Sequence, residues 1–398
     1  MRVYADNAAT TYLSKTAMDV MVECLEKFNG NPNSLHTDGQ LTQEKLDESR
    51  EIIADCINAK NPNEIYFTSG GSEADNQALL SAARGLKGKG KKHLITLNIE
   101  HHAILHTMRK LEGEGFEVTY LVPQANGIVS VEDVKNAIRE DTALVSIMFA
   151  NNEMGAIQPI AEIGAICKEK GVLFHTDAVQ AAAHVPIDVQ AMNIDMLSMS
   201  GHKFHGPKGV GVFYARNGIR LVNVIEGGAQ ERGKRAGTIN VPAIAAMAAA
   251  LKEGCDNMDK NMAHVSAMRD RLIEKLSDIP YSQLNGDPVK RLPGNVNYSF
   301  EGVEGESLLL ALDNYGICCS SGSACTSESL DPSHVLTGIG VPIEAAHGSL
   351  RFSLGEDITE EEVDYIAEKV HKVVQLYRNM SPYWEDLETG KRQHCIAE

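Results

Sequence analysis

The chain has 398 residues, 43% of them hydrophobic and 23% charged, which is the make-up of a folded globular protein larger than one average domain core. Its 37 Lys plus Arg stand against 54 Asp plus Glu, a net charge of −17, and a field of that sign repels phosphate backbones and argues against direct nucleic-acid binding. No apolar run is long enough to cross a bilayer, and the start MRVYADNAATTYLS lacks a basic stretch leading into an apolar one, so a cytoplasmic protein with no membrane segment is expected.

Taken in chain order, Met18, Met21, Val22, Leu25 and Phe28 recur at helical spacing and predict a helix with one apolar face. Glu64–Thr68 reads as a strand and Ser72 onward as a helix, with Ser72 as its N-cap. Further strands are expected at 93–97, 116–121, 143–149, 172–176 and 196–199, most separated by helical segments. Short apolar strands alternating with helices imply an α/β protein whose mainly parallel sheet is covered on both faces, with its ligand beyond the carboxyl ends of the strands. The character changes after the Ala-rich stretch Ile244–Leu251. A polar-faced helix (258–276), a strand (295–300), a helix (306–314), a Gly/Ser segment, a strand (350–353) and a helix from Thr359 then read as a smaller α+β domain. The expected division is 14–255 for the large domain, with 1–13 and 256–398 forming the small one.

Four loops carry chemistry. Thr68-Ser69-Gly70-Gly71-Ser72-Glu73 lies between a strand and a helix, where open amides and the helix dipole suit a phosphate; the same residues also make an ordinary capped turn. Asp177 ends a buried parallel strand, where a carboxylate is costly unless a cation or hydrogen-bond donors meet it; capping the next helix is the competing role. Ser200-Gly201-His202-Lys203-Phe204-His205-Gly206-Pro207-Lys208 holds two lysines, and position alone does not say which is the reactive one. Glu100-His101-His102 opens a helix, and an imidazole there can stack on a ring or carry protons. His101, His102, His202 and His205 also raise zinc, but no H-E-x-x-H or comparable ligand set is present. A phosphate cradle, a carboxylate, an amine and an aromatic ring on successive loops of one sheet are the parts of a pyridoxal 5'-phosphate site.

These segments, with YADNAATT, NPNSLH, NNEMGAIQPI, RAGT, SSGSACTS and LRFSLG, make the chain resemble the NifS/IscS-type cysteine desulfurases, class V relatives of the aminotransferases. That resemblance implies the type I pyridoxal-phosphate fold with a seven-stranded, mainly parallel sheet, and the removal of sulfur from L-cysteine to give L-alanine. It implies Lys203 as the amine that joins the cofactor aldehyde, Asp177 as partner of the pyridine nitrogen and His101 stacked on the ring. Asn152 and Gln180 would bond its phenolic oxygen side, and Gly71, Ser72, Ser200 and His202 its phosphate. Thr238 would reach the phosphate held by the partner of a homodimer, while Arg351, with Asn152, would take the substrate carboxylate. The family often has Ala-Thr or Gly-Thr where this chain has Gly71-Ser72, which keeps the hydroxyl.

Eight cysteines are spread without a C-x-x-C and are expected as free thiols. Cys318 and Cys319 read as a strand edge, Cys395 as part of a polar tail. Cys325, in a run of small residues without apolar periodicity, is expected on a mobile, exposed loop as the nucleophile that holds sulfur as a persulfide. By the resemblance, that sulfur passes to an iron–sulfur scaffold or a sulfur-relay protein, for cluster assembly or tRNA thiolation. The chain itself would hold no metal, Cys325 serving at most as a transient ligand to a cluster on the scaffold. Selenocysteine lyase is the nearest competing activity, separable by comparing turnover of the two amino acids.

Overall fold

The computed structural model describes residues 1–321 and 332–397; Cys325 and the rest of its segment lie outside them. The chain begins with β1 (Val3–Tyr4) and two helices, α1 (Lys15–Lys27) and α2 (Thr37–Cys56). There follow β2 (Ile65–Thr68), α3 (Gly71–Leu86), β3 (His93–Leu97), α4 (His102–Gly113), β4 (Glu117–Leu121), β5 (Thr142–Ser146), β6 (Leu173–Asp177), β7 (Met196–Ser200) and β8 (Gly211–Ala215). The seven strands from β2 to β8 form one sheet in the order β2-β8-β7-β6-β5-β3-β4. β3 to β7 pair in parallel, and β8 runs antiparallel to both β7 and β2.

Both faces of this sheet are covered, which is why its central strands are apolar without alternation. Leu94, Leu144, Met196 and Phe213 pack toward α3 and α4. Their neighbours Ile95, Val145, Leu197 and Val212 pack in the cluster that holds Ile53 of α2 and Met247 of the helix Val241–Asp256. The same feature explains why the sequence reading passed over β8. GVFYA is a five-residue apolar run with no period of two, following directly on a glycine-rich loop.

A second, three-stranded antiparallel sheet is made of β9 (Ser282–Leu284), β10 (Asn295–Phe300) and β12 (Ser349–Ser353), in the order β12-β10-β9. Between the last two comes β11 (Ile317–Cys318), which pairs in parallel with β1. A separate core of Leu272, Leu276, Val296, Phe300, Phe352, Ile366 and Val370 joins this sheet to the helices Met258–Leu276 and Glu360–Met380, and it takes in Val3 and Ala5 as well. The chain therefore starts in the smaller core with Val3 and Ala5 and enters it again from Val265, while Leu292 and the segment from Val335 to Ala346 pack in the larger one.

The helix expected over Met18 to Phe28 is α1. The apolar face predicted for α1 is largely surface: Met18, Val22 and Leu25 are 47%, 48% and 56% exposed, and the helix buries Ala17 and Cys24 instead. Those small side chains let it lie close against the helix Val241–Asp256.

Candidate active site

A cavity of about 330 Å³ opens where β6 and β7 end, and it gathers side chains that are up to 343 positions apart in sequence, from Ala8 to Arg351. Lys203 reaches it from a single tight turn, Gly201–Lys203, directly after β7. Gly201 is closely packed, since a Cβ there would lie 3.0 Å from the Pro207 carbonyl oxygen. Lys203 Nζ donates to the carbonyls of Ala8 (2.6 Å) and Ala9 (2.8 Å), so the N-terminal crossing segment forms one wall. Lys208, in the same loop, is exposed. The fold thus separates two lysines that the sequence leaves equivalent.

Carboxyl groups gather opposite that amine. Asp177 is 8% exposed, and its Oδ1 accepts from the Val179 amide at 2.9 Å. Burial pushes its pKa up to about 6, with the Val179 bond and the charge of Lys203 pulling the other way. Asp75 of α3 and Glu100 are completely buried, and both are held well above the usual carboxylate range, by burial first and by the charge of Asp177 in addition. Asp75 Oδ1 and Glu100 Oε2 have no hydrogen-bond partner among the described residues. A buried Asp177 carboxylate held by a single backbone amide favours a cation brought in by a ligand.

The opposite end of the cavity suits an anion. α3 starts at Gly71, with Gly70 as its cap residue, so Ser72 is the second helical residue and not the N-cap that the sequence suggested. The first amides of a helix have no acceptor within it, and Gly71, Ser72, Ser200 and His202 line the cavity beside them. A Cβ on Gly71 would approach Val179 Cγ2 to 2.5 Å, so a larger residue there would require the Val179 side chain to move. Glu73, an awkward neighbour for an anion, is engaged elsewhere: its oxygens accept from the Ser69 amide at 2.8 Å and from Arg235 Nε at 2.9 Å.

His101 caps α4 through Nδ1, which accepts from the Ala103 amide at 3.1 Å. Burial and then the charge of Lys203 depress its pKa to about 4, so the ring is neutral at pH 7 with its proton on Nε2. Burial likewise brings His202 down to about 4. Arg351 on β12 is 2% exposed; it donates to the Asn152 carbonyl (2.9 Å) and to Asp6 Oδ1 (3.0 Å), and its Nε has no partner among the described residues. Gln180 Nε2 donates to Ala8 O at 3.0 Å.

Of the residues expected at the site, Gly71, Ser72, His101, Asn152, Asp177, Gln180, Ser200, His202, Lys203 and Arg351 line this one cavity. Thr238 does not; it lines a second cavity of about 200 Å³ with Ser69 and Arg235. His205, one of the four histidines that raised zinc, faces a different groove. Sequence reasoning missed Asp75, Glu153 and His334, which also line the site. Asp75 stands two residues beyond the loop Thr68–Glu73 already noted, whereas the lone His334 gave no local signal. Glu153, raised to about 7 by burial, accepts a short hydrogen bond from Ser333 and so ties down the start of the helix His334–Gly338.

A model of the aminotransferase class-V family matches residues 3–366. The cysteine desulfurase IscS of Clostridium botulinum (strain Hall) is 53% identical over 395 residues, 98% of this chain and 99% of that protein. The cysteine desulfurase IscS of Methanosarcina thermophila is 53% identical over 380 residues, 96% of this chain and 94% of its own. Among solved structures, a NifS-like protein superposes with a TM-score of 0.88 at 37% identity, covering 94% of this chain and 100% of that one. SspA in complex with cysteine gives 0.78 at 37% identity, covering 89% and 99%.

Proposed function

The chain belongs to the class-V aminotransferase family, and from that premise we infer that the residues lining its cavity work as the site of a pyridoxal-phosphate-dependent cysteine desulfurase. The protein takes sulfur from L-cysteine and leaves L-alanine. The observation that carries the site assignment is the meeting of the Lys203 amine, the Asp177 and Asp75 carboxyl groups and the open helix start at Gly71 in one cavity. An amine for an aldehyde, an acid for a protonated ring nitrogen and amides for a phosphate fit the cofactor at three separate points. Bound there, pyridoxal phosphate supplies an electrophilic carbon and a cationic ring that draws electrons from the substrate.

The chain's own groups then divide the work. Asp177 would hold the proton of the ring nitrogen, while burial and the charge of Asp177 keep Asp75 and Glu100 well above the usual carboxylate range. Lys203 Nζ removes and returns the α-proton, and the neutral His101 ring, its Nδ1 engaged by the Ala103 amide, offers Nε2–H as a hydrogen-bond donor. Arg351 exchanges Asp6 for the substrate carboxylate, a planar pairing that suits a guanidinium. The Cys325 thiolate attacks the substrate sulfur; an S–S bond forms as the C–S bond breaks, and the electron pair released on carbon is protonated on the way to alanine. Mass spectrometry after treatment with L-cysteine tests this. A one-sulfur increment on the peptide carrying Cys325 is the expected result, and an increment confined to other cysteines would reject the assignment.

The sulfur then passes to an acceptor protein, an iron–sulfur scaffold or a thiol relay. Among the described residues no helix is long and apolar enough to cross a membrane; this is compatible with work in the cytoplasm. A homodimer is part of the same reading. Met18, Val22 and Leu25 on α1, with Leu35 92% exposed and Leu41 44% exposed nearby in the chain, are apolar surface in need of cover, and Thr238 lies outside this chain's own cavity. Light scattering should give the mass of two chains, and Leu25→Glu should move it toward one. A single-chain mass for the unmodified protein would refute the dimer.

A further inference from the structure

His205 sits two residues beyond Lys203 in the left-handed region, at φ 63°. Its Nδ1 lies 2.9 Å from the Tyr12 carbonyl oxygen and its Nε2 lies 2.9 Å from Glu356 Oε2. Neither a carbonyl oxygen nor a carboxylate can donate, so both ring nitrogens carry hydrogen and the ring is an imidazolium. Three separate segments meet on it. Tyr12 belongs to the N-terminal crossing segment whose Ala8 and Ala9 carbonyls hold Lys203 Nζ. His205 belongs to the lysine loop, and its own amide donates to Thr11 Oγ1 at 2.8 Å. Glu356 follows β12, the strand that carries Arg351.

We propose that the charged His205 ring is a positioning residue for desulfuration: by joining the crossing segment to the small domain it fixes the separation between Lys203 and Arg351, and so the pocket for the substrate carboxylate. This rests on Lys203 and Arg351 having the roles given above. His205 touches no reacting atom; it acts through the two segments it ties.

The charges around the ring agree. Burial works against a charged imidazole, yet Glu356, the Tyr12 carbonyl and Asp357 together raise the His205 pKa above its ordinary value. Glu356 is in turn held down to about 2, with burial opposing the bond to His205 and the nearby charge of His184. Lys15, Glu253, Lys260 and Glu362 line the same groove without an ion pair to the ring. Because the folded pKa is raised, the clamp is complete below the free histidine value of about 6.5 and is lost as pH rises through the folded value.

The test uses the intact, cofactor-loaded protein with Glu356→Gln and His205→Gln, singly and together. NMR titration of labelled histidine should place His205 above the free value in the native protein, and Glu356→Gln should reduce its proton affinity by about tenfold or more. Each single variant should raise KM for cysteine by about tenfold with kcat changed by less than about threefold, and the double variant should be no worse than either single one. KM of the native protein should rise at alkaline pH, and that rise should vanish in Glu356→Gln. A native His205 titrating at or below the free value, or additive variants, would overturn the proposal. The titration does not depend on turnover, so it separates failure of the clamp from failure of the site assignment: a raised His205 pKa with KM indifferent to both variants would sink the positioning role, whereas loss of cofactor colour would point to the site.

Discussion

Replacing Cys325 with serine is expected to abolish alanine formation from L-cysteine while the protein keeps its bound cofactor and its yellow colour. The reason lies in the nucleophile. A thiolate is populated near neutral pH and attacks divalent sulfur readily, whereas a serine hydroxyl is almost wholly protonated there and would form an unstable S–O bond. Removing a catalytic nucleophile commonly lowers turnover by about 10⁴-fold or more, and a loss of that size is expected here. None of the residues that line the cavity on the large-domain side is altered, so binding of cofactor and substrate should persist. Sulfide release at the unmodified rate in Cys325→Ser would show that another group receives the sulfur. Cys167 and Cys319 make poor substitutes: burial pushes the first up to about 12 and the second further.

Lys203→Ala is expected to have an effect as large, by a different route. It removes the amine that joins the cofactor and the base that moves the substrate's proton, so turnover should fall by about 10³-fold or more. Borohydride should fix the cofactor to the peptide containing Lys203 in the native protein and to no peptide in the variant. The fold should survive, because the Ala8 and Ala9 carbonyls that Nζ now satisfies face the cavity, where water can take its place. Lys208→Ala is the control: that side chain is exposed and outside the cavity, and its loss should leave turnover unchanged. Full activity in Lys203→Ala, or its loss in Lys208→Ala, would reverse the assignment.

Much of the molecule could be read directly from residue order. Strand and helix alternation from Glu64 to Met199, the strand Asn295–Phe300 and the helix Met258–Leu276 follow from local periodicity, which needs no knowledge of distant residues. The loops bearing Gly71, His101, Asp177 and Lys203 were legible because each stands at the end of a recognisable strand, where an α/β sheet puts its ligand.

Other features depend on which distant segments meet. That Lys203 and not Lys208 enters the cavity is decided by the tight turn after β7 and by two carbonyls nearly two hundred positions away. That Asp75 and Glu100 share the electrostatic surroundings of Asp177, that His205 is charged, and that the apolar side of α1 remains on the surface are set by neighbours absent from the local sequence. Periodicity reports which face of one element is apolar and which residue types are present. Burial, pairing and ionisation are properties of the assembled surroundings, and only the packed chain fixes them.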